Sequence, residues 1–142
     1  MFLQERAHTR FSLLARFLMS AIFVLSGMDK LAAPAGSQAY IASAGIPLPA
    51  LSYGLAVFIE VFFGLSLLIG FKARLAAAVL CAFTLLSGLI FHHDLADQNQ
   101  FIHLMKNLCM AGGLLQVVCF GAGSLSVDSW FGPSPDAPPY FY

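Results

Sequence analysis

Hydrophobic residues occur in four long and nearly uninterrupted runs, separated by shorter polar or proline- and glycine-rich stretches. The runs cover about residues 11–31, 50–71, 75–91 and 101–123. Each is close to the roughly 20 residues that a helix needs to cross the hydrocarbon core of a bilayer. The runs are continuous rather than alternating, which disfavours membrane strands. The pattern predicts an all-α, four-helix transmembrane bundle that occupies residues 1–131 as one domain.

The connections between the runs differ in character. Residues 32–49 are rich in proline and glycine and predict a loop, within which residues 37–44 form a short interfacial helix. Residues 72–74 are basic and predict a tight hairpin, whereas residues 92–100 predict a polar loop. The C-terminal stretch 132–142 carries four prolines and predicts an irregular tail. Aromatic residues near this end suit a membrane interface: Trp130, Tyr140 and Tyr142.

Composition leads to the same class of protein. Of the 142 residues 59% are hydrophobic and only 10% are charged, whereas soluble domains carry about 25% charged residues. The net charge is zero and no basic run exists, which argues against a nucleic-acid partner. The three cysteines form no C-x-x-C pair and are predicted to be free thiols. We therefore expect a multi-pass protein surrounded by membrane lipid.

Basic residues predict which way the bundle faces. With a cytoplasmic N-terminus, the basic residues on the inside are Arg6, Arg10, Arg16, Lys72 and Arg74, and those on the outside are Lys30 and Lys106. An excess of lysine and arginine marks the cytoplasmic side of membrane proteins. Both termini are therefore predicted to be cytoplasmic.

One acidic residue, Glu60, lies in the middle of the second apolar run. A carboxylate near the membrane midplane costs roughly 2.5–3.5 kcal/mol even on lenient insertion scales. It therefore requires a partner or a function. Lys106 is the expected counter-charge, because it starts one turn inside its helix, and Lys30 is the second choice.

Further polar residues are expected near Glu60 once the runs are folded as helices. Five polar residues fall at one membrane face: Lys30, His92, His103, Lys106 and Asn107. Tyr53 lies on the same helix face as Glu60. The candidate catalytic residues are Glu60, Lys106 and His92, and the candidate cofactor-binding residues are Lys30, Tyr53, Asn107 and His103. Such a cluster supplies hydrogen-bond donors and a proton route to a quinone. The alternative is a structural ion pair that fixes helix register and binds no substrate.

The sequence favours three other kinds of site less. Haem ligation by His92 and His103 would place the cofactor at the aqueous edge. A metal site that also uses His93 and Asp94 matches no closed motif. A thiol–disulfide enzyme would need paired cysteines.

Several short patterns occur in a characteristic order between Arg16 and Asp128. They are Phe23-x-x-Ser26-Gly27-x-x-Lys30, Gly45-Ile46-Pro47, Glu60 before Gly64, Gly70-Phe71-x-x-Arg74, Phe91-His92, Lys106-Asn107-Leu108 with Gly112-Gly113, and Gly121-x-Gly123-x-x-Ser126-x-Asp128. Together they resemble the DoxX family of small bacterial membrane proteins. The polar residues that match are Lys30, Glu60, Arg74, His92, Lys106 and Asn107.

The resemblance implies a four-helix protein of the bacterial inner membrane. Some members of the family are linked with quinone-coupled oxidation of sulfur compounds and others with redox homeostasis. The leading hypothesis is therefore a membrane subunit of a quinone-linked redox system, with quinone as the implied cofactor. The alternatives are a non-catalytic accessory subunit of a larger membrane complex and a small-solute or proton transporter. Expected protein partners are other membrane subunits or further copies of this chain.

Overall fold

The described part of the chain is built from helices alone. The computed structural model describes the backbone of residues 2–131 and the side chains of residues 10–131. The elements are α1 (Phe2–Ala32), α2 (Pro34–Ser43), α3 (Pro49–Phe58), a π-helical turn (Ile59–Phe63), α4 (Gly64–Ile69), α5 (Ala73–Phe91), α6 (Gln98–Phe120) and α7 (Val127–Phe131).

Four helical stretches are long and apolar enough to cross a membrane: Arg10–Ala32, Pro49–Ile69, Ala73–Phe91 and Gln98–Phe120. They confirm the predicted all-α bundle with four spans. The second span, made of α3, the π turn and α4, ends earlier than predicted because Gly70 takes a left-handed conformation with φ 74°. The fourth ends at Phe120 rather than residue 123, where Gly121 has φ 78°.

The C-terminal predictions are only partly covered by the described residues. Trp130 is 77% exposed, and its place at a membrane interface stays a prediction. The predicted irregular tail, including Tyr140 and Tyr142, lies outside the described residues.

The loop between the first two spans contains the predicted short helix, displaced towards the N-terminus. Helix α2 starts at Pro34, because proline has a φ suited to the first helical turn and lacks an N–H that would be left unpaired there. It ends before Gly45, which has φ 74°. Tyr40 of α2 stacks on Phe91 at the end of α5, with ring centroids 5.0 Å apart. The short helix therefore lies over the ends of the spans.

Small residues allow the spans to pack closely. Added Cβ atoms at Gly27 and Gly64 would lie 2.6 Å and 3.0 Å from valine methyl groups on the opposite helix. These two glycines therefore bring α1 against the second span beside Glu60 and in the turn that follows it, as small residues do in membrane helix pairs. Helix α5 is lined by buried alanines and packs chiefly against α6.

The second span is interrupted by the π turn Ile59–Phe63, which contains Glu60. A π turn accommodates one more residue than an α-helical turn, and such turns are frequent at functional sites. On its outer side Phe58 and Phe62 stack with centroids 5.1 Å apart, and Phe63 meets both rings edge-on. The aromatic residues thus cover the turn on one side while Glu60 is buried on the other.

Candidate functional site

Glu60 forms a buried ion pair with Lys30. The Lys30 ammonium lies 2.8 Å from Oε2 and donates a hydrogen bond of 3.0 Å to Oε1. The glutamate side chain is 7% exposed and the lysine side chain 26%. Both charges are thus largely removed from solvent, and each is matched by the other.

Ser26 completes this group, because it lies four residues before Lys30 and so on the same face of α1. Its hydroxyl accepts a hydrogen bond of 2.8 Å from the Lys30 ammonium and donates one of 3.1 Å to Glu60 Oε1. Three side chains therefore form a closed hydrogen-bonded ring. Within the described structure, Glu60 Oε2 accepts no directed hydrogen bond despite its contact with the ammonium.

The expectation that Lys106 is the counter-charge of Glu60 is wrong. Lys106 is exposed, and its ammonium lies 3.1 Å from Nδ1 of His103. The physical reason is the packing order, because α1 lies directly against the π turn whereas α6 packs on α5. Lys30, the second choice, is the partner.

Two histidines and Lys106 form a separate cluster at the end of α5 and the start of α6. The rings of His92 and His103 stack with centroids 4.9 Å apart. Burial lowers the pKa of His92, and the charges of His103 and Lys106 lower it further. Around neutral pH His92 is therefore an uncharged imidazole that can donate or accept a hydrogen bond.

The ion pair borders one cavity of about 690 Å³ together with His92 and Lys106 of this cluster. Its walls are mostly aliphatic and aromatic, and several polar side chains interrupt them. The charged and hydrogen-bonding side chains in the lining include Ser26, Lys30, Glu60, Thr84, His92, Lys106 and Asn107. The volume falls within the roughly 300–1,000 Å³ of small-molecule sites.

Two predicted site residues are absent from the lining. The Tyr53 hydroxyl donates a hydrogen bond of 3.2 Å to the Lys30 backbone carbonyl, so it braces α3 against the end of α1. His103 reaches the site only through its contacts with His92 and Lys106. Within the described side chains, no group of three or more histidine, cysteine or acidic residues is arranged to hold a metal ion.

Comparison with known proteins gives the family. The DoxX family profile matches residues 11–93. The chain is 36% identical over 119 residues to the inner membrane protein YqjF of Escherichia coli K12, covering 82% of this chain and 88% of that protein. It is 33% identical over 122 residues to the inner membrane protein YphA of the same organism, covering 82% and 86%. The chain belongs to the DoxX family. No solved structure matches it significantly.

The family match agrees with the four spans, and this DoxX protein is a multi-pass protein of the inner membrane. The matched region contains Lys30, Glu60 and His92, and it ends before Lys106 and Asn107. The similarity to the two relatives extends over most of the chain, and the names of these relatives indicate only that they are inner membrane proteins.

A second polar cluster of this DoxX protein lies at the other end of the bundle, around Arg16. The Arg16 guanidinium is 1% exposed and donates hydrogen bonds to the backbone carbonyls of Leu68 and Leu125. The Asp128 carboxylate accepts bonds of 2.6 Å and 2.8 Å from the backbone N–H groups of Lys72 and Ala73. It therefore caps the N-terminus of α5 from a distant part of the chain.

Sequence reasoning used Arg16 only as a sign of orientation and gave Asp128 no role of its own. The available signal was the terminal pattern Gly121-x-Gly123-x-x-Ser126-x-Asp128. Its contacts explain the spacing, since Gly123 has φ 80° and an added Cβ there would lie 2.6 Å from the Ser12 hydroxyl. Through this pattern, residues 121–128 contact α1 and the hairpin at residues 70–73.

Proposed function

We propose that this DoxX protein is a membrane subunit of a quinone-linked redox system and that its cavity binds the quinone head group. The observation that carries the proposal is the Lys30–Glu60 ion pair in the wall of a largely apolar cavity. Intramembrane ion pairs are costly, and they commonly mark substrate or proton pathways. The apolar walls suit the ring and chain of a lipid-soluble quinone.

The ion pair can pass protons from the solvent to a bound quinone. Reduction of a quinone to a quinol consumes two electrons and two protons, and both protons end on the carbonyl oxygens. The Lys30 ammonium donates a hydrogen bond to one carbonyl and transfers a proton to it as negative charge develops there. A proton from the solvent then reaches Lys30 by way of Glu60 and Ser26 in the hydrogen-bonded ring, and a second solvent proton follows the same route to complete the quinol. The electrons come from a partner oxidoreductase bound to this subunit.

His92 and Lys106 act at the cavity mouth in this proposal. His92 is uncharged near neutral pH because its pKa is lowered, so it can pass protons between the solvent and the site. Lys106 adds a positive charge that favours the developing quinolate. Asn107 lines the same cavity.

The proposed orientation places both termini in the cytoplasm. Arg10, Lys72 and Arg74 lie at the end of the bundle where the first span begins and the fourth span ends, and Lys30 and Lys106 lie at the other end. In this orientation the cavity belongs to the outer half of the membrane. The orientation can be tested in a variant without native cysteines. In that background, His93→Cys should react with an impermeant maleimide in intact cells, and Lys72→Cys should not.

Substitution of the ion pair tests the function. Protein extracted gently from its native membrane is analysed by mass spectrometry for bound quinone and for co-purifying polypeptides. We expect Glu60→Gln and Lys30→Met to lose bound quinone and quinone-dependent turnover while the protein remains inserted. Asp29→Asn is the matched control, because Asp29 is an exposed acid next to Lys30 and should retain both.

Two results would contradict the proposal. Unchanged turnover in Glu60→Gln would remove the acid from the mechanism. A stoichiometric complex with partner subunits, but without quinone at this chain, would make the protein an accessory subunit and the ion pair a structural element.

A further inference from the structure

We infer that Thr84 and Asn107 form a second polar subsite in the cavity, which holds the carbonyl of the ligand that lies away from the ion pair. This inference rests on the proposed function and specifies its ligand as a ring with oxygen atoms at opposite ends. Thr84 is absent from the candidates that the sequence suggests, whereas Asn107 is one of the predicted cofactor-binding residues.

Thr84 and Asn107 are buried but have no hydrogen-bond partner among the described residues. Thr84 is 3% exposed and Asn107 8%. Both line the cavity. A serine or threonine in a membrane helix commonly bonds to the carbonyl one turn earlier, as Ser20 bonds to Phe17 here, but Thr84 makes no such bond. Among the described side chains, only Arg16 Nε and Glu60 Oε2 are both fully buried and unpaired. The polar atoms of Thr84 and Asn107 are therefore open to the cavity, where a ligand can pair with them.

Gly88 brings the two side chains together. It lies four residues after Thr84, so it occupies the same face of α5 about 6 Å further along. An added Cβ at Gly88 would lie 2.9 Å from Nδ2 and 3.1 Å from Cβ of Asn107. The amide thus packs against the bare backbone of α5, one turn from the Thr84 hydroxyl. The two groups belong to one patch of the cavity wall.

The chemistry of this patch complements that of the ion pair. The amide N–H and the hydroxyl O–H both donate hydrogen bonds and carry no charge. They lie on α5 and α6, whereas Lys30 and Glu60 lie on α1 and the π turn. A ligand with two carbonyl oxygens across an apolar ring satisfies both places at once. A 1,4-quinone has this arrangement, and the neutral patch binds the carbonyl that is not protonated first.

The test measures binding of a decyl-substituted 1,4-benzoquinone to the purified full chain in detergent. Thr84→Val has nearly the shape of threonine and Asn107→Leu that of asparagine, and each removes the polar group. We expect each variant to bind the quinone about 3- to 10-fold more weakly, as loss of one hydrogen bond predicts. Thr84→Ser keeps a hydroxyl and should keep the affinity. Ser66→Ala removes a buried hydroxyl outside the cavity and should bind as the wild type does.

A second readout separates a ligand site from a structural role. Without quinone, Thr84→Val should be as stable as the wild type or more stable, because its hydroxyl has nothing to lose. A clear loss of stability in that variant would show that the hydroxyl has a protein partner and would overturn the subsite.

The remaining outcomes distinguish this inference from the proposed function. If Glu60→Gln weakens quinone binding while Thr84→Val and Asn107→Leu bind as the wild type does, water satisfies the patch and the subsite is refuted, although the proposed function stands. If the wild-type protein does not bind the quinone at all, the proposed function fails and the subsite fails with it.

Discussion

Removal of Lys30 should reveal how much the buried charge of Glu60 costs. In Lys30→Met the carboxylate, 7% exposed, loses the ammonium 2.8 Å away while the apolar surroundings stay the same. Removing one partner of a buried ion pair destabilises a protein by about 3–5 kcal/mol. Lys30 is itself 26% exposed, so some water reaches the pair, and we expect the low end, about 3 kcal/mol. Glu60→Gln should cost less, because the remaining ammonium can turn towards water.

The double variant Lys30→Met with Glu60→Gln provides the comparison. Replacing both members of a buried pair with neutral groups is often close to neutral, so we expect a loss of about 1 kcal/mol or less. The free energy of unfolding is measured by titration with a denaturing detergent and followed by circular dichroism. The reasoning is refuted if Lys30→Met lies within about 1 kcal/mol of the wild type, or if the double variant is less stable than Lys30→Met. If the double variant is folded but binds no quinone, its loss of binding is not a consequence of lost stability.

Three further predictions concern other parts of the molecule. Gly70→Ala should cost at least about 2 kcal/mol, because φ is 74° and the new Cβ would clash with the Arg16 guanidinium and the Ser126 side chain. Gly54→Ala has nothing within 4 Å of the new Cβ and should be neutral or stabilising in the same titration. Asp128→Ala should lower stability by about 1 kcal/mol through loss of the cap on α5, and an unchanged midpoint would contradict the capping role. The pKa of His92 is lower in the folded protein than in the unfolded chain, so the unfolded chain binds more protons and stability should fall as the pH drops below about 6.5. His92→Gln should flatten that fall, and an equally steep fall in this variant would assign it to other groups.

The sequence was sufficient for the spans because their signal is local. A run of apolar residues of membrane length predicts a helix wherever it occurs, and Glu60 is conspicuous inside such a run. The choice between Lys106 and Lys30 was different, since it depends on which helices are neighbours. That order is set by close packing at Gly27 and Gly64, which no single run reveals.

Two other features of the site also have no local signal. Thr84 is an ordinary hydroxyl within an apolar helix, and such a residue usually bonds to its own backbone. Its unpaired state is visible only in the folded chain. Asp128 caps the N–H groups of Lys72 and Ala73, 56 and 55 positions away in the chain. A cap contributed from so far away differs from the local capping patterns that sequence reasoning uses.

The π turn makes the site depend on the number of residues rather than only on their identity. Taking one residue out of Ile59–Phe63 would restore a plain α-helix and rotate one half of the span by about 100° relative to the other. Either Glu60 would turn away from Lys30, or Gly64 would turn away from α1. The gain or loss of a single codon in this segment would therefore abolish or create the ion pair without changing any residue that takes part in it. In an alignment of homologous chains, we expect a one-residue gap at this point to separate those that can form the pair from those that cannot.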